Sequence, residues 1–141
     1  MYNTLEDLKR LVGVTGDVLD LDDTVTLSSG LTAWGLWLTA AATDAEKDLQ
    51  GWALEAGMAL DPVPACVQIA ESLLIKARIV QEFGFQDALD PEELSVGGST
   101  GQRLKVKKLS IYDRGEVVSA LRERARQMIA RFSVSEFGGL L

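Results

Sequence analysis

From Leu31 onward, apolar residues return every three or four positions: Leu31, Trp34, Leu38, Ala41, Ala45, Leu49, Trp52 and Ala56. That spacing places them on one side of a helix. Ser28 or Ser29 stands where a cap is needed. Thr43-Asp44-Ala45-Glu46 repeats a capping-box spacing inside the run, so it reads as one long helix or two with a kink near Thr43. Small residues at Ala33, Gly35 and Ala40 to Ala42 would let neighbouring backbone come close. Gly57 or the Asp61-Pro62-Val63-Pro64 run ends the pattern, because proline cannot continue the hydrogen-bond ladder.

Three further segments carry the same periodicity. Leu5, Leu8, Leu11 and Val12 predict a short first helix, capped by Thr4 with Asp7 three residues on and stopped by Gly13. Residues 13–27 follow as an acidic loop with room for one helical turn. A third helix enters with Pro64 in its first turn. It turns Val67, Ala70, Leu73, Leu74, Ala77, Val80 and Gln81 inward and ends around Phe83-Gly84-Phe85. Cys66 lies in it and reads as a small core packer, since no basic neighbour in sequence would activate the thiol. Asp113 as N-cap and Glu116 begin a last helix with the apolar face Val117, Val118, Leu121, Ala125, Met128, Ile129 and Phe132. Arg114, Arg122, Arg124, Arg126 and Arg131 occupy its remaining positions.

Two stretches are not helical in pattern. Residues 86–102 are polar, with Asp90-Pro91-Glu92-Glu93 and a glycine-rich run at 97–101. The run lacks the lysine and following serine or threonine of a phosphate loop, so it reads as a loop or hairpin tip. Residues 103–112 alternate, Leu104 and Val106 between Arg103, Lys105 and Lys107, with the doubled Lys107-Lys108 breaking register once. This predicts an extended segment or a short bulged strand, whose partner is either in the same subunit or in a neighbour. Beyond Phe132, the residues Val134, Phe137, Leu140 and Leu141 sit among glycines and serines as an apolar tail. Such a tail is expensive to leave in water, so it either folds back on its own core or docks on another surface, and docking is the expectation.

The fold class that follows is mainly α. It is a small antiparallel bundle of about four helices, with an extended or β-hairpin loop before the last one and a protruding C-terminal tail. One helical domain spans residues 1–132, with 94–112 as the extended loop or short strands, and 133–141 form the tail.

Composition narrows the chemistry. The chain has 141 residues, enough for one core, with 47% hydrophobic and 25% charged residues. No apolar run approaches the roughly 18 to 20 residues of a membrane span, and the opening is acidic where a signal peptide is basic, so the expectation is a cytoplasmic site of synthesis. There is no histidine and one cysteine. Serine–histidine and cysteine–histidine nucleophile pairs are therefore excluded within one subunit, and no intramolecular disulfide can form. With no nucleotide loop either, the expectation is that the chain is not an enzyme and needs no cofactor.

Asp17, Asp20, Asp22 and Asp23 fall short of a calcium loop, which needs oxygen ligands at alternate positions, a central glycine and a closing glutamate. Asp20 and Asp22 have alternate spacing, but Thr24 and Val25 fall where a further ligand and the glycine belong, and no closing glutamate follows in range. Charge is divided along the chain. Residues 1–100 carry 17 acidic and 5 basic side chains, net −12, and residues 101–141 carry 4 acidic and 9 basic, net +5. A chain polarised in this way can meet a copy of itself or an acidic partner. The rival reading is a small nucleic-acid-binding packaging or regulatory protein that uses the basic last helix. Against it stand an overall net charge of −7 and the absence of a helix-turn-helix spacing.

The order of elements resembles the head–tail connector (adaptor) family of tailed bacteriophages. The resemblance is carried by the opening Thr4-Leu5-Glu6-Asp7-Leu8-Lys9-Arg10-Leu11-Val12-Gly13 and its acidic turn, and by the alanine-rich second helix. It continues through the third helix entered at Pro62-Val63-Pro64 and the basic stretch from Lys105 to Tyr112 before the final helix. It covers nearly the whole chain and rests on order and residue character, without an invariant motif. The 97–112 region is longer and more basic than in the simplest members, and residues 24–42 add apolar material, including Trp34 and Trp37.

The resemblance implies a subunit of a homo-oligomeric ring, commonly a dodecamer, in the virion neck beneath the portal protein. There it would extend the DNA channel and dock a stopper or tail-completion protein, with no membrane involved. On that expectation Asp17, Asp20, Asp22 and Asp23 face the channel, past which packaged DNA slides without specific binding. Arg103, Lys105, Lys107, Lys108, Arg114, Arg122 and Arg126 make contacts between subunits. Phe132, Val134, Phe137, Leu140 and Leu141 dock on the portal.

Overall fold

The computed structural model describes residues 1–84 and 111–140, with side chains for 1–84 and 114–131. Four helices make up the described chain: α1 (Leu5–Leu11), α2 (Ala33–Ala56), α3 (Ala65–Phe83) and α4 (Ile111–Leu140), with one 3-10 turn at Gly16–Leu19. The mainly helical bundle expected from the pattern is the fold. No strand occurs among the described residues.

α2 is the long helix of the apolar run, and it is unbroken. Its N-cap is Thr32, whose hydroxyl accepts from the Gly35 amide at 3.1 Å, so the cap lies three or four residues beyond Ser28 and Ser29. Those serines belong instead to a turn that Gly30 closes at φ +89°, its amide donating to the Leu27 carbonyl. The internal capping box at Thr43 is not used, and no kink forms. Thr43 turns its hydroxyl to the Thr39 carbonyl one turn back, and the alanines around it favour continuing the helix. Gly57 ends α2 in the left-handed conformation, which glycine adopts without strain.

Pro64 is the N-cap of α3, one place before the first-turn position expected of it, and Gly84 closes the helix. α3 is the central element, buried on several sides. Gln81, expected inward, is exposed. It shares a flank with Ala77, but that flank opens into a cleft.

α4 begins at Ile111, so Asp113 lies within the helix and not at its cap, and Ile111 and Tyr112 are helical where an extended segment was expected. A cap contributes about 1 kcal/mol, so a capping signal is a weaker guide to a helix boundary than the burial of the helix's apolar face. The helix also runs on to Leu140, so residues 133–140 are its last two turns and no break in secondary structure separates them from the domain. The remainder of the expected loop or short strands, 94–110, lies outside the described residues.

Two apolar clusters form the core. The first joins Leu8 and Val12 of α1 and Leu19 of the 3-10 turn to Trp34, Leu38, Ala41 and Ala42 of α2 and Ile75 and Ile79 of α3. The second joins Ala45, Leu49 and Ala53 of α2, Val67, Ala70, Leu73 and Leu74 of α3 and Ala125 and Ile129 of α4. Each fully buried Leu or Ile contributes about 1.5–3 kcal/mol relative to exposure. Trp37 joins the helix ends by stacking on Trp34, tilting against Phe83 and donating from Nε1 to Glu82 at 2.9 Å.

These contacts fix the directions of the helices. Trp37 beside Phe83 makes α2 and α3 antiparallel. Arg114 abutting Gly84, and Arg122 paired with Asp48, make α4 antiparallel to α3 and parallel to α2. One end of the bundle therefore holds the start of α2, the end of α3 and the start of α4, together with the acidic loop. The C-terminal turns of α4 point to the other end.

Candidate functional site: two charged faces and an ion-paired cleft

The acidic loop is a built structure. The 3-10 turn packs Gly16 so closely on the Leu21 carbonyl and the Trp34 side chain that a methyl group there would collide with both. Asp22 accepts from the Thr24 amide and hydroxyl and from the Val25 amide at 2.7 Å, and these bonds hold its carboxyl below the usual carboxylate range. Asp23 accepts from the Thr32 hydroxyl at 2.7 Å and from Lys9 Nζ at 3.0 Å. These two bonds, Thr32's first, lower its carboxyl, and the same contact with Asp23 raises Lys9. Asp22 and Asp23 are thus spent on closing the loop and fastening it to α1 and to the start of α2. Asp17 and Asp20 are exposed and make no ion pair with the other described residues. The four carboxylates do not gather into a metal-binding group, nor do any three ligand-type side chains among the described residues.

Around this end are exposed Val18, Val25, Leu27 and Leu36, four of the seven large hydrophobics that reach solvent among the described residues. Periodicity could not single them out, because three of the four lie in the loop.

A cleft of about 320 Å³ runs between α2, α3 and α4. Its floor is apolar, with Ala41, Ala45, Leu74, Ala77 and Val118, and its walls are charged. Arg78 pairs with Asp44 and, at 2.9 Å, with Glu82, while Arg122 pairs with Asp48 at 2.9 Å. Glu82 and Asp44 raise Arg78, and Arg78 in turn lowers Asp44. Its charges are matched within the chain, and among the described residues no nucleophile or general base stands free in it.

The arginines expected at subunit contacts fall in different places. Arg114 lies over Gly84 at the end of α3. Arg122 and Arg126 face α2, the first on Asp48 and the second beside Trp52, Glu55 and Ala56 in a second cleft of about 250 Å³. Two of the seven therefore point toward the chain's own second helix, a placement that sequence alone could not reveal. Arg124 and Arg131, two turns apart, project from the opposite flank of α4, exposed and without an ion pair among the described residues. Arg103, Lys105, Lys107 and Lys108 lie outside the described residues. Phe132, Val134, Phe137 and Leu140 belong to the last turns of α4, with side chains outside the described set, as is Leu141.

Sequence reasoning missed the buried polar residues Asn3, Glu71 and Ser72. Glu71 of α3 is fully enclosed and accepts from the backbone amides of Tyr2 at 2.8 Å and Asn3 at 3.0 Å and from Asn3 Nδ2 at 2.9 Å. Gln68 completes the clasp, donating to the Tyr2 carbonyl and accepting from Asn3 Nδ2. The clasp straps residues 2–3 over the second core cluster, where burial raises the Tyr2 phenol above its ordinary value. Cys66 is half-buried against the same cluster, and burial likewise raises its thiol, which suits packing better than reactivity.

Comparisons with protein-family models, with curated proteins and with solved structures found no match. No described helix is long and apolar enough to cross a membrane.

Proposed function

We propose that the chain is a structural subunit of a phage neck, a head–tail adaptor that assembles into a ring beneath the portal, extends the DNA channel and docks the stopper or tail. The observation that carries this reading is the separation of the molecule's two ends. The acidic loop with Asp17 and Asp20 closes one end of the bundle, and the C-terminal turns of α4 leave at the other. A subunit that presents different chemistry at its two ends suits a link between two different neighbours. Along the channel, the acidic surplus of residues 1–100, net −12, repels duplex phosphate and lets DNA pass without sticking. Phe137, Leu140 and Leu141 supply the apolar anchors for the portal. The order of elements, similar to that of the adaptor family, supports the same reading.

The nucleic-acid-binding alternative has less support. Tight phosphate binding wants a continuous basic surface. The arginines of α4 divide instead between two flanks, and Glu116 and Glu123 lie on the exposed face between them.

The test is deletion of residues 133–141. The shortened chain should keep its helical circular dichroism and its cooperative unfolding yet fail to co-sediment with portal particles. Undiminished co-sedimentation would remove the docking role. Steeply salt-dependent DNA binding at moderate ionic strength would favour the alternative.

A further inference from the structure

Arg124 and Arg131 stand apart from the other arginines of α4. Seven residues separate them, close to two full turns, so they share one flank about 10 Å apart along the axis. Both are exposed on the flank away from α2, whereas Arg122 is neutralised by Asp48. Half-buried Met128 and exposed Gln127 lie between the two charges, and exposed Ala120 and half-buried Val117 continue the same flank one and two turns before Arg124.

The loop end of the bundle is its complement. Asp17 and Asp20 flank Val18, which is 48% exposed, and Leu36 is 44% exposed on the outer side of the first turn of α2. Neither aspartate has an ion-pair partner among the described residues, although Asp22 and Asp23 beside them are fully engaged. One face thus offers two unpaired cations on apolar ground, and the other offers two unpaired anions on apolar ground. They lie on different elements, α4 and the 3-10 turn, and no ion pair joins them within the chain among the described residues.

We infer that the Arg124–Arg131 flank of α4 docks on the Asp17–Val18–Asp20 end of a second copy. The contact is heterologous, because each copy keeps one face of each kind free after pairing. Repeated contacts of this type close into rings when the rotation allows it and otherwise extend into filaments. The inference rests on the ring reading and supplies the residues at the joint. Those residues replace Arg122 and Arg126, which the fold turns toward the chain's own α2.

Charge exchange in the full-length protein tests the joint. Two variants are made, R124E/R131E and D17K/D20N, and both should keep wild-type circular dichroism because all four side chains are exposed and asparagine, like aspartate, tolerates the left-handed φ of +59° at position 20. In sedimentation velocity at low ionic strength the wild type should self-associate, and added salt should weaken the assembly. Each variant alone should associate at least about tenfold more weakly, and an equimolar mixture of the two should recover assembly. In a C66A background, D20C/R124C should cross-link into a ladder of multimers on mild oxidation. If the wild type assembles and both variants assemble equally well without cross-linking, the joint is wrong and the ring stands. If the wild type stays monomeric at every concentration, with portal particles or without, both are wrong.

Discussion

Exchanging Glu71 for glutamine alters one atom of a fully enclosed side chain and leaves its shape unchanged. In the wild type both carboxylate oxygens accept, Oε2 from the Tyr2 amide and Oε1 from the Asn3 amide and Asn3 Nδ2. All three partners are donors. A glutamine can keep its carbonyl on Asn3 only by pointing its own NH₂ at the Tyr2 amide, so two donors face each other in a buried site. Hydrogen bonds to a charged group are worth about 1.5–3 kcal/mol, and an orphaned buried donor costs about 1–3 kcal/mol. Glu71→Gln should therefore destabilise the fold by about 2 kcal/mol. Glu71→Ala, which orphans all three donors and leaves a void, should cost roughly 4 kcal/mol. At about 3 °C per kcal/mol for a chain of this size, melting should fall by roughly 6 and 12 °C. Urea unfolding followed by circular dichroism measures both. A glutamine variant within about 0.5 kcal/mol of wild type would refute the clasp as the structure draws it, because a neutral amide cannot satisfy three donors in that geometry.

Three other outcomes follow from the core and the loop. Leu38→Ala, at a fully buried position in the first cluster, should lose about 2–5 kcal/mol in urea unfolding. Gly16→Ala should cost about 1–3 kcal/mol, since its methyl group meets the Leu21 carbonyl and the Trp34 ring, and loss of tryptophan fluorescence should report the disturbance. Asp23 has its carboxyl lowered by Thr32 and Lys9, so its stabilisation is complete above the ordinary carboxylate range near 4 and disappears as pH falls through the depressed folded value. Asp23→Asn should therefore be less stable than wild type at neutral pH, with the difference closing in acid. A gap that stays constant from pH 7 to 2 would show that the charge of Asp23 contributes nothing.

Much of the bundle is legible in the chain because its periodic stripe is also its core. Trp34, Leu38, Ala41, Ala45 and Leu49 are buried as their spacing demands. Gly57 and Gly84 stop helices where glycine was expected to. Local signals failed where two candidates competed. Thr32 outcompeted Ser28 and Ser29 because Asp23 already holds its hydroxyl in the loop, and that contact spans nine residues of a segment with no periodic pattern. Glu71 was illegible for a simpler reason. Its partners lie 68 and 69 positions away, and an acidic residue among apolar ones reads as a solvent-facing position.

The candidate site divides in the same way. The acidity of residues 17–23 is plain in the sequence, but only the fold separates the two aspartates used as staples from the two left exposed. Five arginines on one helix look alike until the positions of α2 and α3 assign Arg122 and Arg126 to one flank and Arg124 and Arg131 to the other.

Electron microscopy of the full-length protein mixed with purified portal particles bears most directly on the adaptor reading. The account predicts rings seated coaxially on the portal, with the C-terminal turns of α4 against the portal and the loop end of each copy against its neighbour. Portal particles that remain bare at saturating protein, or protein bound as scattered single copies with its C-terminal turns touching no other chain, would contradict it.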